Sequence, residues 1–98
     1  MVSIDEIIRA ITPIIEPSPV RRVTLFGSYA KGTNTLDSDV DMVIDSNGQL
    51  KGIDFFVLVS KLAKALPIKS DIFEQREIKM NSAMYNKIVQ EGVIIYAR

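Results

Sequence analysis

The sequence predicts an α/β domain of the α+β kind, a small mixed β-sheet flanked by helices, in one unit over residues 1–98. Two observations predict this class. Apolar residues recur at helical spacing in long stretches, and short apolar runs bounded by Gly, Pro, Asn and Ser lie between those stretches. The resulting order is α-β-(α)-β-α-β-α, with an apolar tail.

The first helix is expected over Ser3–Glu16. Ser3 and Glu6 form a capping-box pair, and Ile4, Ile7, Ile8, Ile11 and Ile15 share one face. Pro13 is expected to kink or divide it, and Pro17-Ser18-Pro19 to close it. Arg21–Phe26 reads as a strand running into Gly27-Ser28, and Ser28–Gly32 as a short helix. After the polar stretch Thr33–Ser38, Asp39–Asp45 reads as a second strand and Ser46-Asn47-Gly48 as a turn.

A long helix follows over Ile53–Leu66, with Phe55, Leu58, Val59, Leu62 and Leu66 as its stripe and Pro67 as its stop. Phe56 and Val57 then fall to the side or outward, near Lys61 and Lys64. Phe56 reads either as an anchor for a protein contact or, if the helix is rotated, as core. Ile68–Glu74 is a third strand. Asn81–Glu91 is a third long helix with Gly92 as its C-terminal cap, and Val93–Tyr96 is a candidate edge strand.

Composition narrows the chemistry. Hydrophobic residues make up 47% and charged residues 24%, as in ordinary globular proteins. Lys+Arg and Asp+Glu both number 12, so no excess of positive charge is present to hold long nucleic acid. The absence of Cys and His excludes disulfides, thiolate nucleophiles, Cys/His zinc sites and imidazole acid–base catalysis. Any metal must be held by oxygen, which favours Mg²⁺ or Mn²⁺. Asp5, Glu6 and Arg9 break any signal-peptide pattern, and no apolar run approaches the roughly 18 residues of a membrane span, so a cytoplasmic protein is expected.

Three features carry candidate chemistry. Gly27-Ser28 directly follows a strand, and such a turn can aim backbone N–H groups and a hydroxyl at a phosphate. It is equally a common structural turn. Asp39 and Asp41 are two apart in a strand, so their carboxylates project together while Val40 and Met42 face the other way. Asp is a poor strand former and like charges repel, a conflict that a bound dication removes; a solvated strand end would also tolerate the pair. Asp71 interrupts an apolar strand. If that strand lies beside Asp39–Asp45, the three aspartates can meet at one end of the sheet; otherwise Asp71 is an edge carboxylate facing water.

Taken together these features are more specific. Gly27-Ser28, ten intervening residues, Asp39-x-Asp41, and then Asp71 on a strand after one helix resemble the nucleotidyltransferase superfamily related to DNA polymerase β. Leu25-Phe26-Gly27-Ser28-Tyr29-Ala30-Lys31-Gly32-Thr33, followed by Asp37-Ser38-Asp39-Val40-Asp41-Met42-Val43, looks most like the minimal nucleotidyltransferases of bacteria and archaea. The resemblance implies the nucleotidyltransferase fold. It implies that Gly27 and Ser28 contact the triphosphate, that Asp39 and Asp41 bind metal, and that Asp71 completes the metal site and helps activate the attacking hydroxyl. Lys31 stands where relatives often have Arg; it is either a point charge for phosphate or a solvent-facing residue.

The same resemblance implies a partner. A chain of 98 residues leaves no room for a separate acceptor domain. Minimal nucleotidyltransferases are often paired with a HEPN-family toxin and, as antitoxin, attach AMP from ATP to a toxin tyrosine. A transferase acting on a small molecule such as an aminoglycoside, and a non-catalytic module that neutralises a toxin by occlusion, are the alternatives. Neither stable nucleic-acid binding nor a membrane is expected, and a homo-oligomer is compatible with this reading.

Overall fold

The computed structural model describes residues 2–98. Its elements are α1 (Ile4–Ile15), β1 (Arg22–Phe26), α2 (Ser28–Lys31), β2 (Val40–Asp45), α3 (Ile53–Ala65), β3 (Ser70–Glu74), a 3-10 turn (Gln75–Glu77), α4 (Ala83–Glu91) and β4 (Val93–Ala97). The strands form one sheet in the order β3-β2-β1-β4. β1 runs antiparallel to both β2 and β4, and β2 runs parallel to β3. The parallel pair requires a crossover, which α3 supplies.

The helix boundaries follow local chemistry. Ser3 caps α1 in a full capping box with Glu6. Pro13 lies in the last turn and does not divide the helix: it removes the one bond its own N–H would donate to the Arg9 carbonyl, and the helix continues past it, with the Glu16 N–H donating to the Thr12 carbonyl. Leu66, just before Pro67, is already extended (φ −80°, ψ 135°), as the proline ring demands of the residue preceding it. The helix expected from Asn81 starts instead at Ala83. Asn81 takes φ 65°, and Ser82 becomes the cap, accepting a 3.1 Å hydrogen bond from the Tyr85 N–H. Gly92 does cap α4, but in an extended conformation. Glycine is favoured there by close approach: an added Cβ would press on the Ile88 carbonyl and stand 2.8 Å from Thr24 Cγ2.

The sheet has two unlike faces. Val23, Leu25, Val40, Met42 and Ile44 project to one face and pack with Ile7, Ile11 and Ile15 of α1 and Leu58 and Leu62 of α3. The opposite face carries Thr24, Phe26, Asp41, Val43, Asp71 and Phe73, by strand alternation and the observed register. Phe26 and Phe73 meet there with ring centroids 6.0 Å apart, and α4 lies over this face with Gly92 against Thr24.

In α3, Leu58 and Leu62 are buried and Phe55 and Val59 half-buried, so the stripe faces the core as its spacing predicts. Phe56 is 69% exposed and Ile53 79%, which places Phe56 outside the core. Phe56→Ala is therefore expected to change unfolding free energy by no more than about 0.5 kcal/mol. Leu62→Ala should cost about 2–5 kcal/mol. Urea unfolding of both variants checks the orientation of α3, and a large loss at Phe56 would contradict it.

Candidate active site

β2 and β3 place two carboxylates side by side. In their parallel register Asp41 lies opposite Asp71, and on the other flank Asp41 lies opposite Phe26 of β1. One row across the sheet therefore reads Phe26–Asp41–Asp71. β1 ends at Phe26, and the chain turns over Asp41 through Gly27, whose φ of 76° favours glycine. A Cβ on Gly27 would stand 2.5 Å from Asp41 Oδ2, so the turn can sit on the carboxylate only without a side chain. Ser28 opens α2, and no side chain caps that turn.

The electrostatics reflect this crowding. The Asp41 carboxyl is held above its ordinary value, first by burial, then by the negative charges of Asp71 and Asp39, then by a hydrogen bond with Asp71. Lys87 of α4 pulls it the other way. Asp71 itself is exposed at the sheet edge.

The structure brings Gly27, Ser28, Asp41 and Asp71 together. Asp39 shares the same end of the sheet but lies just before β2, and its carboxylate is 3.9 Å from Lys69 Nζ. Among the described residues no three acidic side chains form a metal-ligating group. The expected convergence of all three aspartates is thus met for Asp41 and Asp71, with Asp39 drawn to the nearest ammonium. Lys31 is exposed and pairs with Glu91 of α4 at 3.4 Å.

Lys87 and Glu91 belong to this neighbourhood, and sequence reasoning missed them. They sit at i and i+4, on one face of α4. That spacing was legible, but nothing local says that α4 crosses the aspartate-bearing face of the sheet. A cavity of about 410 Å³ lies elsewhere, at the far ends of β2 and β3, lined by Leu50, Phe55, Glu74 and Arg76 among others. It contains none of the aspartates. Its Glu74 is a structural tie, accepting hydrogen bonds from the Ser46 hydroxyl at 3.0 Å and the Arg76 N–H at 3.1 Å.

A mixed sheet with a Gly-Ser turn seated on strand-borne aspartates is the architecture of nucleotidyltransferases. Residues 9–98 match the family described as polymerase beta, nucleotidyltransferase, and the chain belongs to that family. A Methanocaldococcus jannaschii protein, provisionally named a protein adenylyltransferase, is 31% identical over 94 residues, covering 93% of this chain and 92% of the relative. The crystal structure of a toxin–antitoxin with AMP-PNP contains a chain that superposes with a TM-score of 0.74 at 26% identity, covering 99% of this chain and 75% of that one. A chain from the complex of a tri-AMPylated Shewanella oneidensis HEPN toxin with its MNT antitoxin superposes with a TM-score of 0.65 at 23% identity, over 97% of this chain and 70% of that one; it shares the fold. No helix among the described residues is long and apolar enough to cross a membrane.

The raised Asp41 carboxyl has a consequence for stability. The folded state holds this proton more tightly than the unfolded chain, so the benefit is complete below the unfolded value and is lost as pH rises through the folded one. In metal-free buffer, Asp41→Asn should therefore melt above wild type at neutral pH, and the gap should close under acid. Melting curves of both proteins across that range check it; a variant less stable at neutral pH would contradict the charge conflict.

Proposed function

We propose that this chain transfers AMP from ATP to a hydroxyl, that the acceptor is a tyrosine of a partner HEPN-family toxin, and that the transfer makes the chain an antitoxin working in the cytoplasm. The observation that carries the reading is the Asp41–Asp71 pair beneath Gly27. Membership of the nucleotidyltransferase family supports it, as do the relative named for protein adenylylation and the likeness to a toxin–antitoxin structure with AMP-PNP.

The donor set fits a hard divalent cation. It offers only carboxylate oxygens, and the raised Asp41 carboxyl is a charge conflict that a cation relieves. Asp41 and Asp71, joined by Asp39 once it turns from Lys69, would hold Mg²⁺ or Mn²⁺, which when bound neutralises charge on the triphosphate and on the attacking oxygen.

The chain's own residues do the rest. The glycine at 27 leaves the backbone bare where the triphosphate approaches, and the Ser28 hydroxyl donates to a phosphate oxygen. Lys31, three residues beyond Ser28, neutralises phosphate as a point charge once it leaves Glu91. Asp71, exposed at the edge strand, faces the side from which a protein hydroxyl can arrive, and it accepts that hydroxyl's proton. The oxygen attacks the α-phosphorus, the bond to the bridging oxygen breaks, and pyrophosphate leaves. No histidine is required.

The test is incubation with α-labelled ATP and Mg²⁺, with and without the partner toxin. Label should appear on the toxin and map to a tyrosine. Asp41→Asn should lose transfer by roughly 100-fold or more while staying folded, on the scale of a lost electrostatic stabiliser. Gly27→Val should lose it as well, through the collision with Asp41. Full labelling by either variant, or none by wild type, would contradict the proposal.

A further inference from the structure

Strand β3 is entered through a cation on the face that carries the aspartates. Ile68 and Ile72 pack against the core, so by alternation Lys69, Asp71 and Phe73 share the opposite face. The parallel register sets Val40 opposite Ser70 and Asp41 opposite Asp71, and the Val40 N–H donates to the Lys69 carbonyl at 3.0 Å. Asp39 and Lys69 therefore form the row next to Asp41 and Asp71. Their side chains meet, with Lys69 Nζ 3.9 Å from Asp39 Oδ2. Two cross-strand pairs thus lie side by side: like charges at Asp41–Asp71 and opposite charges at Asp39–Lys69.

Like charges across neighbouring strands repel and opposite charges attract. Lys69 is the compensating charge at the end of a face that brings three carboxylates close together. Its hold is light. The Lys69 side chain is 77% accessible and that of Asp39 37%, so water screens the pair and it parts at little cost. A divalent ion that touches the carboxylate directly is the stronger partner, since it carries twice the charge and bonds oxygen at about 2.0–2.1 Å when it is Mg²⁺. The ammonium and the metal thus draw on the same carboxylate, and the metal is the one that prevails.

We propose that Lys69 is a built-in competitor for the metal: it holds Asp39 by an ion pair and yields that carboxylate to the divalent ion, and so sets the concentration at which the site fills. Lys69 is a positioning residue that acts through Asp39. The inference rests on the metal and nucleotide reading above and deepens it.

The experiment is titration of Mn²⁺ into the full chain with a non-hydrolysable ATP analogue, followed by electron paramagnetic resonance, together with melting curves in EDTA and in Mg²⁺ plus the analogue. Lys69→Met should tighten Mn²⁺ binding about threefold, the scale of an exposed ion pair. Lys69→Arg keeps the cation and should not tighten it. The gain should vanish when Lys69→Met is made in an Asp39→Asn background, where the ammonium has no carboxylate to hold. In EDTA Lys69→Met should melt below wild type, and on adding Mg²⁺ and analogue its midpoint should rise further than that of wild type, as tighter binding requires. A lysine with only a structural role would shift the midpoint equally with and without metal. Equal rises, unchanged Mn²⁺ affinity in Lys69→Met, or a gain that persists undiminished with Asp39→Asn would overturn the proposal. Wild type that binds Mn²⁺ with the expected pattern but labels no toxin would overturn the transfer reading alone; wild type that binds no Mn²⁺ would overturn both.

Discussion

The structure depends on one constraint: β2 cannot slip against its neighbours. Val40, Met42 and Ile44 are essentially inaccessible, packed against α1 and α3, so the alternate residues of β2 must face the other way. A shift of a single residue would drive Asp41 into the apolar layer and expel Met42. Apolar burial thus fixes which way Asp41 points. The parallel register with β3 then fixes what stands beside it, namely Asp71. Two like charges that would separate in a flexible loop are held together by the hydrophobic packing behind them.

The register is secured at both ends. At the far end Glu74, 5% exposed, is tied to Ser46, whose oxygen also accepts from the Leu50 N–H at 3.0 Å. At the near end the Val40 N–H donates to the Lys69 carbonyl at 3.0 Å. The charge conflict is concentrated between these ties, at the strand ends where solvent and a partner can reach. The apolar layer supplies stability, and the opposite face is free to carry residues that cost stability, as functional sites commonly do. Gly27 belongs to the same logic: its missing side chain is what lets β1 turn over Asp41.

Much of this was legible in the sequence, because the relevant signals are local. The alternation Asp39-Val40-Asp41-Met42 states a two-faced strand, and Pro67 and Ser3 mark helix ends through their own chemistry. The α3 stripe leaves Phe56 open between an outward position and the core, because spacing alone does not fix the helix's rotation; the structure places it outward. Asn81 reads as helix in the sequence because a turn residue with positive φ looks there like any polar first-turn residue. Asp39 was grouped with Asp41 on spacing alone; its attraction to Lys69 depends on β3 returning beside β2, which no local pattern encodes. The contributions of Lys87 and Glu91 were invisible for the same reason, since they arise from the way α4 crosses the sheet.

The central claim is that the Asp41–Asp71 pair is a charge conflict completed by a divalent cation together with nucleotide. The most direct measurement is electron paramagnetic resonance of Mn²⁺ titrated into the protein with a non-hydrolysable ATP analogue, for wild type and for Asp71→Asn. The account predicts nucleotide-dependent Mn²⁺ binding in wild type and its loss in the variant, with the fold retained by circular dichroism. Equal Mn²⁺ binding by the two proteins would contradict it.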